Sequence, residues 1–381
     1  MDSFFISYQH VAEDECKIVC YTDYINSLTS FVMIQENNST HWILGGALLL
    51  IGLFVIIALV LTRQQAATVT LDVTNAAPVV DLVKICAGDS VDQTCTPVTS
   101  ITTDINTSKN YDIYATVSDE NGTGDVVGAG VSLSLFRSGI TLAGCDVGGE
   151  TDNNHCYYLA SAVKFGADVT NKQQYFRFDN VPIAYWADAT VATSEDFAGE
   201  SWVVSVTAKD TANSSHAASI TKELDELTAL TLPSAIDFGS GGSARTNGFS
   251  SVIANNVDLN FAQAGNTDAD AQIKLDTATL SCTVFGSANF PASAIKWESA
   301  TGASDVDYAS MTKTLTTSFA DIDLKDNAGN SSAAIRRRKS ESTAPSANAS
   351  FGVLIPNNVA GTCSGVVSIT SVKGIVTGGG A

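Results

Sequence analysis

The sequence has few charged residues, and basic residues are the scarcest of them. Charged residues make up 16% of the 381 positions, and 20 Lys and Arg stand against 40 Asp and Glu, which gives a formal net charge of −20. A nucleic-acid-binding protein needs a basic surface against the phosphates, and a protein lying on anionic lipid needs the same. The composition therefore argues against a nucleic-acid partner and favours an acidic, well-solvated surface.

The sequence also lacks the motifs of the common catalytic sites. His155 and His216 in the long C-terminal part have no serine or cysteine nucleophile context, and no G-x-S-x-G, P-loop or HExxH motif occurs. The glycine-rich stretch 239–242 opens a β-patterned region, so it is interpreted as a loop rather than a phosphate site. We predict that the protein is not an enzyme and uses no cofactor. The alternative, an enzyme with an unrecognised site, would need a cluster of titratable residues in a pocket.

A long uncharged run extends from Trp42 to Leu61. Twenty apolar residues form a helix of roughly 30 Å, the thickness of a bilayer's hydrocarbon core. We therefore predict an N-terminal tail over 1–41, starting at Met1 or Met33, and a transmembrane helix over 42–62. Arg63 favours a cytoplasmic body by the positive-inside rule. The cysteines favour the opposite orientation, and we expect a plasma-membrane protein that crosses once with its C-terminal body outside the cell.

Six of the eight cysteines follow the apolar run. They fit three pairs that are local or close a domain, 86 with 95, 145 with 156, and 282 with 363, but six cysteines allow fifteen pairings and the sequence does not choose. Disulfides persist in oxidising compartments. No CxxC motif occurs, which makes a zinc site the less favoured interpretation, and we predict no bound metal there. The disulfide candidates are Cys86, Cys95, Cys145, Cys156, Cys282 and Cys363.

After the apolar run, the hydrophobic pattern has a period of two. At Ser201 to Lys209, for example, Trp202 and Val204 point to one face while Val203 points to the other. Many such short segments, separated by turn residues, indicate β-sandwiches. The predicted fold is mainly β, with two tandem Ig-like antiparallel β-sandwiches after the transmembrane helix. The predicted sandwiches cover 66–225 and 228–375, with a short helical connector considered at Lys222 to Leu230 and a tail at 376–381.

Two further groups of residues are candidate sites. Asp119, Asn121 and Asp125 could bind calcium through side-chain oxygens, although an ordinary turn is the favoured interpretation because the closing glutamate of an EF-hand is missing. The basic run Arg336, Arg337, Arg338 and Lys339 lies in a polar stretch, 331–349, and is interpreted as a solvated loop. As an alternative, it could dock on the acidic surface of a neighbour.

Several motifs resemble those of known surface proteins. TNAAPVV at 74–80 and WVVSVTAKDTANSS at 202–215 resemble bacterial and archaeal Ig-like repeats. FGVLIP at 351–356, followed by Gly361, Cys363 and Gly365, looks like the closing hairpin of a sandwich domain in membrane-anchored surface proteins of ultrasmall candidate-phylum prokaryotes. That family has a tyrosine where Cys363 stands, and the replacement supports Cys282 as its partner. The resemblance implies extracellular presentation and carries no catalytic residue across.

The predicted function is that of a single-pass, membrane-anchored cell-surface protein with a structural or adhesive role. Its partners would be the membrane, through Trp42 to Leu61, and other surface proteins or copies of itself. The alternative is a subunit of a surface layer or filament that assembles laterally through the sandwiches.

Overall fold

The computed structural model describes most of the chain after residue 73. The described residues are 50–55, 57, 74–88, 94–140, 154–194, 196–239, 245–246, 248–251, 256–284, 289–300, 306–325, 334–338 and 344–374. Two compact units divide the chain, Met1–Val73 and Thr74–Ala381.

The predicted localisation, a single pass through the plasma membrane with the body outside, is wrong. Within the described ranges, no helix is both long and apolar enough to cross a membrane. A crossing helix needs about 20 apolar residues, whereas the described helical residues here are 50–55 and 57. The rest of the predicted span from Trp42 to Leu61 lies outside the described residues.

Eight antiparallel strands form two four-stranded sheets in the first half of Thr74–Ala381. The strands are β1 (Val79–Ala87), β2 (Lys109–Ser118), β3 (Val131–Arg137), β4 (Cys156–Leu159), β5 (Val163–Thr170), β6 (Gln173–Ile183), β7 (Trp202–Lys209) and β8 (Ser215–Lys222). Their orders are β1-β2-β6-β5 and β4-β3-β7-β8. Alternating burial along β7, from Trp202 to Ala208, places every second side chain inside.

Both sheets contribute to one core, and we call this part the first sandwich. Ile113 and Phe176 from one sheet and Leu133 and Trp202 from the other are fully buried in the same cluster. Cys86 at the end of β1 is bonded to Cys95. Cys156 is also in a disulfide, while Cys145 lies outside the described residues.

The described residues of the second half form eleven strands, most of them shorter than those of the first. They are β9 (Leu230–Thr231), β10 (Val257–Gln263), β11 (Ala269–Leu275), β12 (Thr279–Cys282), β13 (Phe290–Pro291), β14 (Ile295–Ala300), β15 (Lys313–Thr314), β16 (Ala320–Asp321), β17 (Ser346–Val353), β18 (Cys363–Ser364) and β19 (Val367–Lys373). They form the sheets β15-β14-β17-β10-β9, β16-β11-β19 and β13-β12-β18.

A second core lies between these sheets, and we call this part the second sandwich. Phe261, Trp297 and Phe351 from the five-stranded sheet share it with Ile273 from β11. Cys282 on β12 stands opposite Cys363 on β18 and is bonded to it. The 86–95 and 282–363 pairs expected from the sequence are therefore both present.

The prediction of a mainly β chain with antiparallel sheets is confirmed, but several details are wrong. The helical connector at Lys222 to Leu230 is absent, because β8 continues through Lys222 and buried Leu224 forms a parallel bridge with Ile101. The polar stretch 331–349 contains the start of β17, a central strand of the five-stranded sheet. Its alanines, Ala347 and Ala349, are small enough for close packing and are fully buried. The domain limits 66–225 and 228–375 stay predictions.

Candidate functional site

Two polar clusters lie at opposite ends of the first sandwich. In the β3–β7 ladder, Val131 pairs with Ala208 at one end, and Arg137 pairs with Trp202 at the other. Asp125 precedes β3 and Asp210 follows β7, so both lie beyond the Val131 end. Arg137, the last residue of β3, lies at the other end, roughly 20 Å away for seven residues of strand.

At the Arg137 end, a buried carboxylate holds two guanidinium groups together. Asp188 follows the turn after β6, and its side chain is 1% exposed. Its Oδ2 lies 3.0 Å from Nε of Arg137 on the first sandwich, and its Oδ1 accepts a hydrogen bond of 2.5 Å from Nη1 of Arg337 on the second. Arg337 also donates from Nε to Asp196, at 2.7 Å. We call these four residues the Arg337 network.

The second sandwich holds the backbone of Arg337 firmly in place. Buried Ile335 exchanges two backbone hydrogen bonds with Ala269 at the start of β11, of 2.8 and 2.9 Å. The N–H of Arg337 then donates to Oδ1 of Asp268, at 2.7 Å. The Phe197 ring, on the first sandwich, completes the packing, because the guanidinium carbons of Arg137 and Arg337 lie 3.7 and 4.8 Å from its centroid.

Burial dominates the electrostatics of Asp188. Its removal from water raises the pKa of the carboxyl group, and the charges of Arg337 and Arg137 oppose that shift. The indole N–H of Trp202 donates to the carbonyl oxygen of Asp188, at 2.8 Å, so the backbone here is also tied to the core. A desolvated carboxylate with two cationic partners suits a fixed junction between two domains.

Further contacts reinforce this junction. Lys373 on β19 donates to the carbonyl of Thr193 and to Glu226, at 2.7 and 2.8 Å. Gly265 lies so close to the linker between the sandwiches that an added Cβ would stand 2.0 Å from the carbonyl oxygen of Leu227. A cleft at the junction is lined in part by Asp196, Glu226, Arg337 and Lys373, whose charges are used in these pairs.

The basic run that was interpreted as a solvated loop includes two arginines that contact the first sandwich. Arg337 is 8% exposed and is bound to the first sandwich of the same chain. Arg338 donates to the hydroxyl of Tyr185, at 2.7 Å, and its guanidinium carbon lies 4.0 Å from the Trp186 ring centroid. Arg336 is partly buried, and Lys339 lies outside the described residues. Docking on another molecule stays a prediction.

At the opposite end, three carboxylates converge. Asp119, Asp125 and Asp210 each offer an oxygen, and these atoms all lie within 4.8 Å of one another. We call them the acidic cluster. Asp119 and Asp125 belong to the β2–β3 loop, while Asp210 begins the β7–β8 turn, in which Asn213 adopts the left-handed conformation with φ 68°. The β3–β7 pairing brings the loop and the turn together.

Three chain segments are tied at this cluster. Asn75, from the segment that leads into β1, donates from its amide to Oδ2 of Asp210, at 2.7 Å. The N–H of Ala76 donates to Oδ1 of Asn121, at 2.8 Å, so the predicted ligand Asn121 is used in a bond to backbone. Thr211 donates its N–H to the carbonyl of Asp125, at 3.1 Å.

The pKa values of Asp119 and Asp210 are shifted in opposite directions. Burial raises the pKa of Asp119, and the charges of Asp125 and Asp210 raise it further. The hydrogen bond from Asn75 lowers the pKa of Asp210. The sequence analysis named Asp119, Asn121 and Asp125 as a possible calcium site, with an ordinary turn as the favoured interpretation, and it did not include Asp210. Asp210 lies in the stretch KDTANSS, which was used only for the resemblance to Ig-like repeats.

Comparisons with known proteins add little to this picture. No family model matches the chain, and no curated protein matches it. One solved structure that it is similar to is described as "Chaperone-tip adhesin complex is vital for synergistic activation of CFA/I fimbriae biogenesis". The identity is 8% and the TM-score 0.25, over 76% of this chain and 84% of that one.

Proposed function

We propose that this protein is a non-catalytic structural or adhesive protein of an oxidising compartment, built on two Ig-like sandwiches held in a fixed arrangement. The Arg337 network is the observation that carries the proposal. It places a buried ion-pair network between two cores. Such a network requires one particular geometry, because separating the sandwiches leaves Arg337 without its carboxylate partners and Asp188 without one of its two guanidinium partners. A rigid pair presents its loops at fixed positions.

The topology supports the Ig-like assignment. In the first sandwich, β2 pairs with β6 and β3 pairs with β7, so the chain passes between the two sheets rather than winding through hairpins alone. Greek-key connections of this kind join the two sheets of Ig-like domains.

The disulfides support an oxidising compartment. Cys86–Cys95 and Cys282–Cys363 tie both sandwiches, and cytosolic thiols are normally kept reduced. The contacts of the charged residues that line the junction cleft favour a structural role for these residues. Arg337 is bound to Asp188 and Lys373 to the carbonyl of Thr193, both on the first sandwich, so a catalytic role would require breaking the contacts that hold the junction.

The test is the redox state of the cysteines in cells that make the full chain. Cells are treated with a membrane-permeant alkylating reagent under denaturing conditions, and the protein is then reduced, labelled with a second reagent and mapped by mass spectrometry. We expect Cys86, Cys95, Cys282 and Cys363 to carry only the second label. First-reagent label on both pairs would place the folded chain in a reducing compartment and refute the proposal.

A further inference from the structure

The acidic cluster, at the end of the first sandwich opposite to the Arg337 network, contains a buried oxygen that has no hydrogen-bond partner among the described residues. Asp119 is 3% exposed. Its Oδ1 accepts a hydrogen bond of 2.7 Å from the N–H of Asn121, while its Oδ2 has no hydrogen-bond partner among the residues that the structure describes. Leaving a buried carboxylate oxygen unpaired is costly, so this atom points to a missing partner.

The surroundings of this oxygen favour a cation as the missing partner over a hydrogen-bond donor of the chain. Asp125 and Asp210 each bring an oxygen within 4.8 Å of the Asp119 carboxyl group and of each other. Three carboxylates at this separation repel one another. In the described residues this is the one group of three such ligands, and no lysine or arginine is paired with any of its members in the ion pairs of the structure.

The donor set identifies the class of cation. All the available ligands are oxygens, from carboxylates and from neighbouring carbonyl and amide groups, which suits hard cations and disfavours zinc. The ligands come from a loop and a turn, which are irregular elements. Ca²⁺ tolerates irregular coordination, whereas Mg²⁺ demands near-ideal octahedral geometry. We propose that Asp119, Asp125 and Asp210 bind one Ca²⁺ ion.

Binding would fix the segment that leads into β1. Asn75 and Ala76 are already tied to Asp210 and Asn121 by hydrogen bonds. An ion shared by the β2–β3 loop and the β7–β8 turn would restrict the motion of Asn121 and Asp210, which accept these hydrogen bonds. Residues 74–78 would then be held more rigidly against the end of the sandwich. The ion therefore acts as a structural clamp, at the end opposite to the Arg337 network.

The experiment is calcium titration of the full chain, by calorimetry and thermal unfolding, with NaCl of equal ionic strength as the salt control. Extracellular calcium modules bind with Kd of about 10⁻⁴–10⁻³ M, so about 10 mM Ca²⁺ should raise Tm by about 3–10 °C. Hydrogen exchange at the Ala76 amide should slow in the same solution. Asp125→Asn and Asp210→Asn should each abolish the calorimetric signal and the Tm shift.

Glu120→Gln is the matched control, because Glu120 is exposed, lies beside Asp119 and pairs with Lys172 outside the acidic cluster. It should bind Ca²⁺ like the wild type. Three results would overturn the proposal: no binding heat with a folded wild type, an equal Tm rise in NaCl, or an undiminished Ca²⁺ response in folded Asp125→Asn and Asp210→Asn. Tighter binding of Mg²⁺ would overturn the assignment to calcium.

Discussion

Replacing Arg337 by methionine removes the cation that joins the two sandwiches while keeping a side chain of similar length. Asp188, 1% exposed, then loses its 2.5 Å hydrogen bond and keeps only Arg137. Removing one partner of a buried ion pair costs about 3–5 kcal/mol. The bond to Asp196, which is 45% exposed, adds no more than about 1 kcal/mol. Because Arg137 remains, we expect a loss near the lower limit, about 3 kcal/mol.

Urea denaturation of the full chain, followed by tryptophan fluorescence, measures this loss. Trp202 reports on the first core and Trp297 on the second, since both are buried. Lys209→Met is the matched control, because it removes one positive charge from an exposed position of the first sandwich and should change the free energy of unfolding by less than about 0.5 kcal/mol.

A double-mutant cycle with Asp188→Leu separates the energy of the Arg337–Asp188 ion pair from the energy of packing these side chains. The double variant Arg337→Met/Asp188→Leu should recover part of the stability lost in each single variant, because neither charge is then buried without its partner. A loss below about 1 kcal/mol for Arg337→Met alone would refute the argument. It would mean that Asp188 is fully compensated by Arg137 and that Arg337 does not hold the junction.

Two other predictions concern the second sandwich. Burial raises the pKa of Asp270 to about 6, above its unfolded value of about 3.9, so between these pH values the folded state binds more protons and stability falls as pH rises. We expect the free energy of unfolding of the wild type, measured by urea denaturation relative to that of Asp270→Asn, to fall by about 2–3 kcal/mol from pH 4 to pH 7. The double variant Cys282→Ala/Cys363→Ala opens a cross-link with a sequence separation of 81 and should lower the free energy of unfolding by about 4.5 kcal/mol in the same assay, by chain entropy.

Each of these predictions has its own control. Asp104→Asn removes a carboxyl group whose side chain is 59% exposed, so it controls for the loss of one surface carboxyl group at each pH. Cys86→Ala/Cys95→Ala opens a cross-link with a separation of 9 and should cost less, about 2.5 kcal/mol by chain entropy. A pH-independent Asp270→Asn difference, or equal losses for the two disulfides, would contradict the reasoning.

The strands that the sequence predicted well are those with a clear alternating pattern. Ser201 to Lys209 was expected as a strand and is β7, because its alternate residues enter the core. The run Lys313 to Leu324, by contrast, forms only the two-residue strands β15 and β16. β17 was missed because its buried positions include serine and alanine, whose burial depends on neighbouring strands and not on their own hydrophobicity.

The candidate sites also depend on contacts between residues that are distant in the sequence. Asp119 and Asp125 are close in the sequence and could be grouped by spacing, whereas Asp210 joins them only through the β3–β7 register. Arg337 was part of a conspicuous basic run, and its composition alone indicated a solvated loop. Its partner Asp188 is 149 residues away, and no local pattern marks an aspartate that becomes buried between two arginines. Contacts of this range follow from the tertiary fold.

The fixed arrangement of the two sandwiches is the central claim, and residual dipolar couplings of the full chain test it most directly. Couplings from the first-sandwich strands, β1–β8, and from the second-sandwich strands, β10–β19, are fitted separately in one aligned sample. The account predicts the same alignment tensor for both in the wild type, and different tensors in Arg337→Met. Two different tensors in the wild type would show that the sandwiches reorient independently, and the claim would be wrong.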